Sequence, residues 1–229
     1  MRTALILMAI VPLRAAEMTA PLSALTGDEI FERLVEHNRA REILMRGYSV
    51  ERTYSAENES GKKYAVEVVR MEYTAAGEKS FELISGSGSW VVRNLVFTRL
   101  RETETSAAHG GDRKDSSITP ANYRLTPEGI EDIDGRPCYV AQATPLHKNK
   151  YLFEGRIWVD AEDFAVARIE GHPAANPSFW TQRVEFVRTY GKYGSFWLPS
   201  KDYTLAHIRF YGRKVLNIEH YDYVLQPTH

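Results

Sequence analysis

The chain has 229 residues, with 29 lysines and arginines against 30 aspartates and glutamates and a formal charge of -1. That balance excludes a dedicated nucleic-acid binder, whose phosphate contacts require a basic excess or stripe. Hydrophobic residues at 43% and charged residues at 26% describe a folded chain, neither disordered nor polytopic, and the lone Cys138 excludes an intramolecular disulfide framework and any multi-cysteine metal centre.

Arg2 precedes an apolar run from Ala4 to Leu13, followed by Arg14-Ala15-Ala16. One positive charge, a short apolar run and small residues form the layout of a secretory signal peptide, and the run is too short to span a bilayer. The expectation is a signal peptide over 1–20 and a single domain over 21–229, exported to the periplasm and soluble after cleavage. Without residues 1–20, which carry Arg2, Arg14 and Glu17, the formal charge becomes -2.

Thr26 and Glu29 stand three apart as a capping box, and Ile30, Phe31, Leu34, Val35, Ile43 and Leu44 recur at helical spacing before Gly47. This predicts one amphipathic helix of about five turns. From Tyr48 the period changes to two. Tyr48, Val50, Arg52 and Tyr54 share one face; after a turn at Glu57–Gly61, Tyr64, Val66 and Val68 oppose Glu67, Val69 and Met71. Ala75-Ala76-Gly77 is a second turn, with Phe81 and Leu83 on a third strand.

Gly86-Ser87-Gly88-Ser89 reads as a flexible strand-to-helix connection and a hinge. A second amphipathic helix follows, with Trp90, Val91, Leu95, Val96 and Leu100 as its apolar residues, and the polar tract from Ser106 to Ser117 is a loop. The remainder reads as long strands separated by turns such as Asp134-Gly135. The expected fold class is α+β: a curved, open antiparallel sheet of about nine to eleven strands, a half-barrel, with two or three helices plugging its concave face.

The stretch Gly155-Arg156-Ile157-Trp158-Val159-Asp160, its turn, and Ala167-Arg168-Ile169-Glu170-Gly171 form a strand-turn-strand pattern. With Pro177-Ser178-Phe179-Trp180, Phe196-Trp197-Leu198-Pro199 and the order signal peptide, long helix, strand at Gly47-Tyr48, it resembles the outer-membrane lipoprotein-sorting (LolA/LolB-like) family. The resemblance implies a half-barrel whose apolar cavity receives a lipid or the acyl chains of lipoproteins, with peripheral membrane contact. A fold is not a function, so an envelope sensor or scaffold that binds a protein partner through the same sheet stands as the alternative.

The residues expected to line the cavity are Val50, Tyr54, Val66, Val68, Phe81 and Leu83 on the early strands. Phe153, Ile157, Val184, Phe186, Ile208 and Phe210 continue it on the later ones, and Trp90 and Phe97 close the mouth. The competing reading is that these side chains pack dry against the helices. No catalytic, metal or cofactor set is expected. The sequence has no Gly-x-Ser-x-Gly elbow. Cys138 reads as a buried structural thiol. His207 and His220, with Asp202 or Asp222, lack metal-motif spacing, and Asp160, Glu162 and Asp163 read as a solvated hairpin turn. The chain is expected to be non-enzymatic.

Overall fold

The computed structural model describes residues 24–107, 117–149, 151–175, 181–209 and 212–227. The expected signal peptide, Phe179, Trp180, Phe210 and most of the polar tract after Ala107 lie outside them. Helix α1 (Gly27–Leu44) begins at the expected capping box. The Thr26 N–H donates to Glu29 Oε2 at 2.7 Å, and the Glu29 N–H donates to Thr26 Oγ1, so two orphan donors of the first turn are satisfied reciprocally. The helix ends three residues before Gly47, where the ladder of the first strand takes over the backbone from Met45.

The strands are β1 (Met45–Asn58), β2 (Lys63–Thr74), β3 (Lys79–Gly88), β4 (Tyr123–Ile133), β5 (Arg136–Pro145), β6 (Phe153–Asp160), β7 (Val166–Pro173), β8 (Thr181–Tyr193), β9 (Phe196–Ile208) and β10 (Gly212–Pro227). Between β3 and β4 come α2 (Trp90–Val92), a π-helical turn (Arg93–Phe97) and α3 (Thr98–Ala107). The ten strands form one antiparallel sheet in the order β3-β2-β1-β10-β9-β8-β7-β6-β5-β4. Neighbours are sequential except where β10 pairs with β1, so two meanders are joined by the first and last strands. The edges β3 and β4 lie at opposite ends of the order, which leaves the half-barrel open, as expected. Asp134 and Gly135 both have positive φ, 53° and 80°, the requirement of the two-residue turn that links β4 to β5.

The Gly86–Ser89 connection is corrected. β3 continues through Gly88 and pairs with β2 as far as Ala65. The glycines serve close approach: a Cβ on Gly88, at φ +80°, would stand 2.3 Å from the Tyr64 carbonyl oxygen, and one on Gly86 would meet the Arg93 guanidinium. A strand stripped of side chains lets the helices settle onto it.

Both helical layers lie on one face. Ile30, Phe31 and Leu34 of α1 pack with Tyr139, Ala141, Ile157 and Ile169. Phe97 packs with Tyr54, Ala65 and Val69, with Leu100 alongside. The cross-strand row Ala141, Ile157, Ile169, Arg188, Asp202, Ile218, Tyr54, Glu67 and Gly86 traverses that face. It runs from apolar through a charge pair to Tyr54, then ends on a buried carboxylate and a bare glycine.

Two further expectations are revised. Trp90, Val91, Leu95 and Val96 are exposed, while Val92, Phe97 and Leu100 face the sheet. The π turn, in which the Thr98 N–H reaches the Arg93 carbonyl, re-phases the apolar stripe within the segment. The acidic turn after β6 is solvated at Glu162 but buried at Asp160: Arg136 grips Asp160 at 2.5 and 2.8 Å, and Asp160 accepts the N–H groups of Glu162 and Asp163.

Candidate functional site

The expected cavity residues divide into separate sets. Phe153, Ile157 and Phe186 belong to the filled core under α1, with Phe153 edge-on to Phe186 at 5.9 Å. Tyr54, Phe81 and Phe97 belong to the core under α2 and α3. Val50 is buried opposite Met71 in the ladder, and Val184 and Ile208 are half-buried on the helix face of β8 and β9. Leu83 is exposed on the edge strand, and Trp90 is 69% exposed rather than closing a mouth.

Val66 and Val68 are the clearest departure. In β2 the buried residues are Ala65, Glu67, Val69 and Met71, which turns Val66 and Val68 to the outer face. The reading by hydrophobicity inverted the strand because it kept Glu67 out of the interior. Two arginines from the helical layer reverse that preference: Arg93 Nε lies 3.1 Å from Glu67 Oε1, and Arg101 Nη1 lies 2.6 Å from Oε2. A buried carboxylate is tolerated when it is paired and hydrogen-bonded.

Between the two apolar cores the helix face carries charge. Glu104 of α3 accepts Arg52 Nη1 and Lys79 Nζ, each at 2.7 Å. Burial opposes ionisation of Glu104, but Arg52 and Lys79 outweigh it and bring its carboxyl down to about 2. Asp202 pairs with Arg188 and accepts a hydrogen bond from His220 Nε2 at 3.0 Å. Burial again opposes, while Arg188 and His220 hold Asp202 at about 2. Burial lowers His220, so its neutral imidazole is favoured. The sequence set His207 and His220 together, with Asp202 or Asp222, only as a metal set that lacked motif spacing; of the two histidines Asp202 bonds His220 alone, while His207 stands opposite Arg213 and faces outward, away from His220.

Open space lies where α1 leaves the sheet. Ile43 is 70% exposed, and Val35 and Leu44 are also exposed. One pocket of about 410 Å³ lies between Arg41 and Met45 on one side and Tyr48, Tyr73, Phe196 and Leu198 on the other. A second, of about 600 Å³, lies between Leu34 and Val35 and the residues Ile118, Val166 and Tyr190; Asn38, Glu42 and Trp197 border both. Arg41 fixes the end of the helix over this space by donating to the carbonyl oxygens of Asp163 and Phe164. Neither pocket is lined by any of the fourteen expected residues. Cys138 is buried on the outer face with Val140, Trp158 and Ala167, and burial, reinforced by Asp160, pushes its thiol up to about 12. It is a structural thiol, as read.

Sequence reasoning missed Lys79, Glu104, Arg188 and Glu67. A signal existed for Arg52: its place between Val50 and Tyr54 in an alternating strand already put it on their face.

No protein-family model matches the sequence, and no curated protein matches it. Solved structures do match. An outer membrane lipoprotein-sorting protein domain from Vibrio parahaemolyticus has a TM-score of 0.54 at 14% identity, over 87% of this chain and 93% of that one. A LolA superfamily protein from Nitrosomonas europaea has a TM-score of 0.44 at 12% identity, over 90% and 96%. Among the described residues no helix is long and apolar enough to cross a membrane. The open antiparallel sheet with both helical layers on one face is shared with the Vibrio domain: this chain has the fold of an outer-membrane lipoprotein-sorting domain.

Proposed function

We propose that the protein is an exported, non-enzymatic carrier that holds a lipid, or the acyl chains of a lipoprotein, between α1 and the sheet. The observation that carries this reading is the pair of adjoining pockets under the second half of α1. Their volumes fall in the range of about 300–1,000 Å³ usual for ligand sites. Each methylene placed there contributes about 0.8 kcal/mol by leaving water. The ligand extends along Trp197 and Tyr190, and the cores around Phe153 and Phe97 widen to admit longer chains when a helical layer shifts. Residues 1–20 direct the chain to the periplasm, and contact with the membrane is peripheral.

Native mass spectrometry of the protein purified from the periplasm, with lipid extraction of the same sample, tests this. The expected result is a mass adduct that extracts as lipid. A protein that is always empty and takes up no fluorescent acyl probe overturns the reading.

A second reading is favoured by one surface. Leu83 and Ile84 on the edge strand β3 and Trp90, Val91 and Leu95 beyond it are all exposed, the kind of apolar patch that marks a protein interface in the envelope. An Ile84→Lys variant that abolishes capture of one envelope protein while leaving acyl-probe uptake intact supports this second role.

A further inference from the structure

Three polar atoms in the middle of the helix face make no hydrogen bond of normal geometry among the described residues: Arg52 Nε, the Tyr54 hydroxyl, which lies beside the Arg52 guanidinium, and His220 Nδ1. All three residues are more than nine-tenths buried, at 3%, 1% and 7% exposure. They also stand together. Arg52 and Tyr54 are successive inward residues of β1, and His220 is the ladder partner of Arg52 on β10. A buried orphan costs roughly 1–3 kcal/mol, so three at one place call for a physical reason.

The surrounding charge has a sign. Arg52 and Lys79 share the single carboxylate of Glu104, and Arg93 and Arg101 share that of Glu67. Asp202 balances Arg188, whose side chain is 48% exposed and which stands two residues before Tyr190 on β8. Five cations therefore meet three carboxylates among these groups. The strip also borders the space under α1. Tyr48, which lines the smaller pocket, feels the charges of Arg52 and Glu104, and Tyr190, which lines the larger, feels those of Arg188 and Asp202.

We propose that this strip is a polar subsite for the anionic head of a single-chain amphiphile whose tail occupies the pockets under α1. Arg188 meets the head first. Arg52 Nε donates to it, Arg52 keeping Nη1 on Glu104, and the Tyr54 hydroxyl donates a further bond as the α3 layer shifts. The proposal rests on the carrier reading and narrows its ligand: an ester-linked acyl chain has no charge to place here, whereas a free carboxylate does.

The probes are hexadecanoate, its methyl ester and acetate, with binding followed by intrinsic tryptophan fluorescence, to which Trp197 contributes, and confirmed by calorimetry. Hexadecanoate is expected to bind at least about tenfold more tightly than the ester, the worth of one charge-assisted hydrogen bond. Arg52→Gln is expected to reduce that preference to less than about threefold. Tyr54→Phe removes one hydroxyl without disturbing packing and reduces the preference in the same direction, so it carries the test if Arg52→Gln does not fold. Equal affinity for acid and ester overturns the subsite while leaving the carrier reading intact, and acetate binding as tightly as hexadecanoate does the same. Failure of both long-chain probes to bind overturns the carrier reading and the subsite together.

Discussion

The two helical layers of this half-barrel are attached by different physics. The first half of α1 lies on β4–β8 through Ile30, Phe31 and Leu34, a contact with no charge at its centre. The layer of α2 and α3 lies on β1–β3 through Phe97 and its neighbours, and is fastened by buried or half-buried ion pairs, Glu104 to Arg52 and Lys79 and Arg93 and Arg101 to Glu67. Apolar burial is indifferent to pH and salt in a way that ion pairs are not. One layer is therefore a structural plug, and the other is a cover whose hold responds to its surroundings.

The sharpest way to break the contrast is on the plug. Leu34→Ala is expected to cost about 3 kcal/mol, seen as a lower urea midpoint for the whole molecule that is unaltered by 0.5 M salt. Acid is expected to act mainly through the charged strip. The Glu104 carboxyl titrates near 4.5 in the unfolded chain and near 2 in the folded one, so between those values the unfolded chain binds more protons. Stability present above about pH 4.5 is lost as pH falls toward 2, on the order of 2–3 kcal/mol from this group. Asp202, moved from 3.8 to about 2, acts in the same direction. Urea midpoints measured from pH 7 to pH 2.5 check this, and Glu104→Gln should flatten the slope.

The same Glu104→Gln variant at neutral pH is expected to cost about 2 kcal/mol, because Arg52 and Lys79 lose their shared carboxylate. Hydrogen exchange should quicken across Thr98–Ala107 and stay unchanged across the first half of α1; uniform quickening across both layers would erase the distinction. Smallest of all, Tyr54→Phe should leave the ligand-free protein equally stable or more stable by up to about 1 kcal/mol, since the hydroxyl it removes makes no hydrogen bond of normal geometry. A clear loss of stability would mean the hydroxyl has a structural partner.

Much of the architecture was legible in the sequence because it is written locally. The Thr26–Glu29 box, the Asp134-Gly135 turn and the alternation in β1 each depend on residues a few positions apart. The inward charges were not legible because their compensation is remote. Glu67 reads as a surface residue until Arg101, 34 positions later, is laid on it, and Arg52 waits 52 positions for Glu104. Period-two reading treats apolar as inward, and where two ion pairs override that rule it selects the wrong face, as it did for Val66 and Val68. The pockets under α1 escaped for another reason: from Glu36 to Glu42 the helix carries Ala40 as its one apolar residue, and bridging that gap to Ile43 and Leu44 as one continuous stripe hid where the second half leaves the sheet.

The pairing of β1 with β10 has a consequence for how the molecule comes into being. The strand that follows the first helix finds its central neighbour only in the final strand, with Tyr54 opposite Ile218. Until those last residues arrive, the chain holds two unconnected hairpin arrays, β1–β3 and β4–β9, each with an unfilled inner edge. Closing so large a loop is entropically costly and slow. The sheet should therefore assemble after the whole chain is available, in one late step, and removal of β10 should leave two partly ordered pieces rather than a shortened barrel.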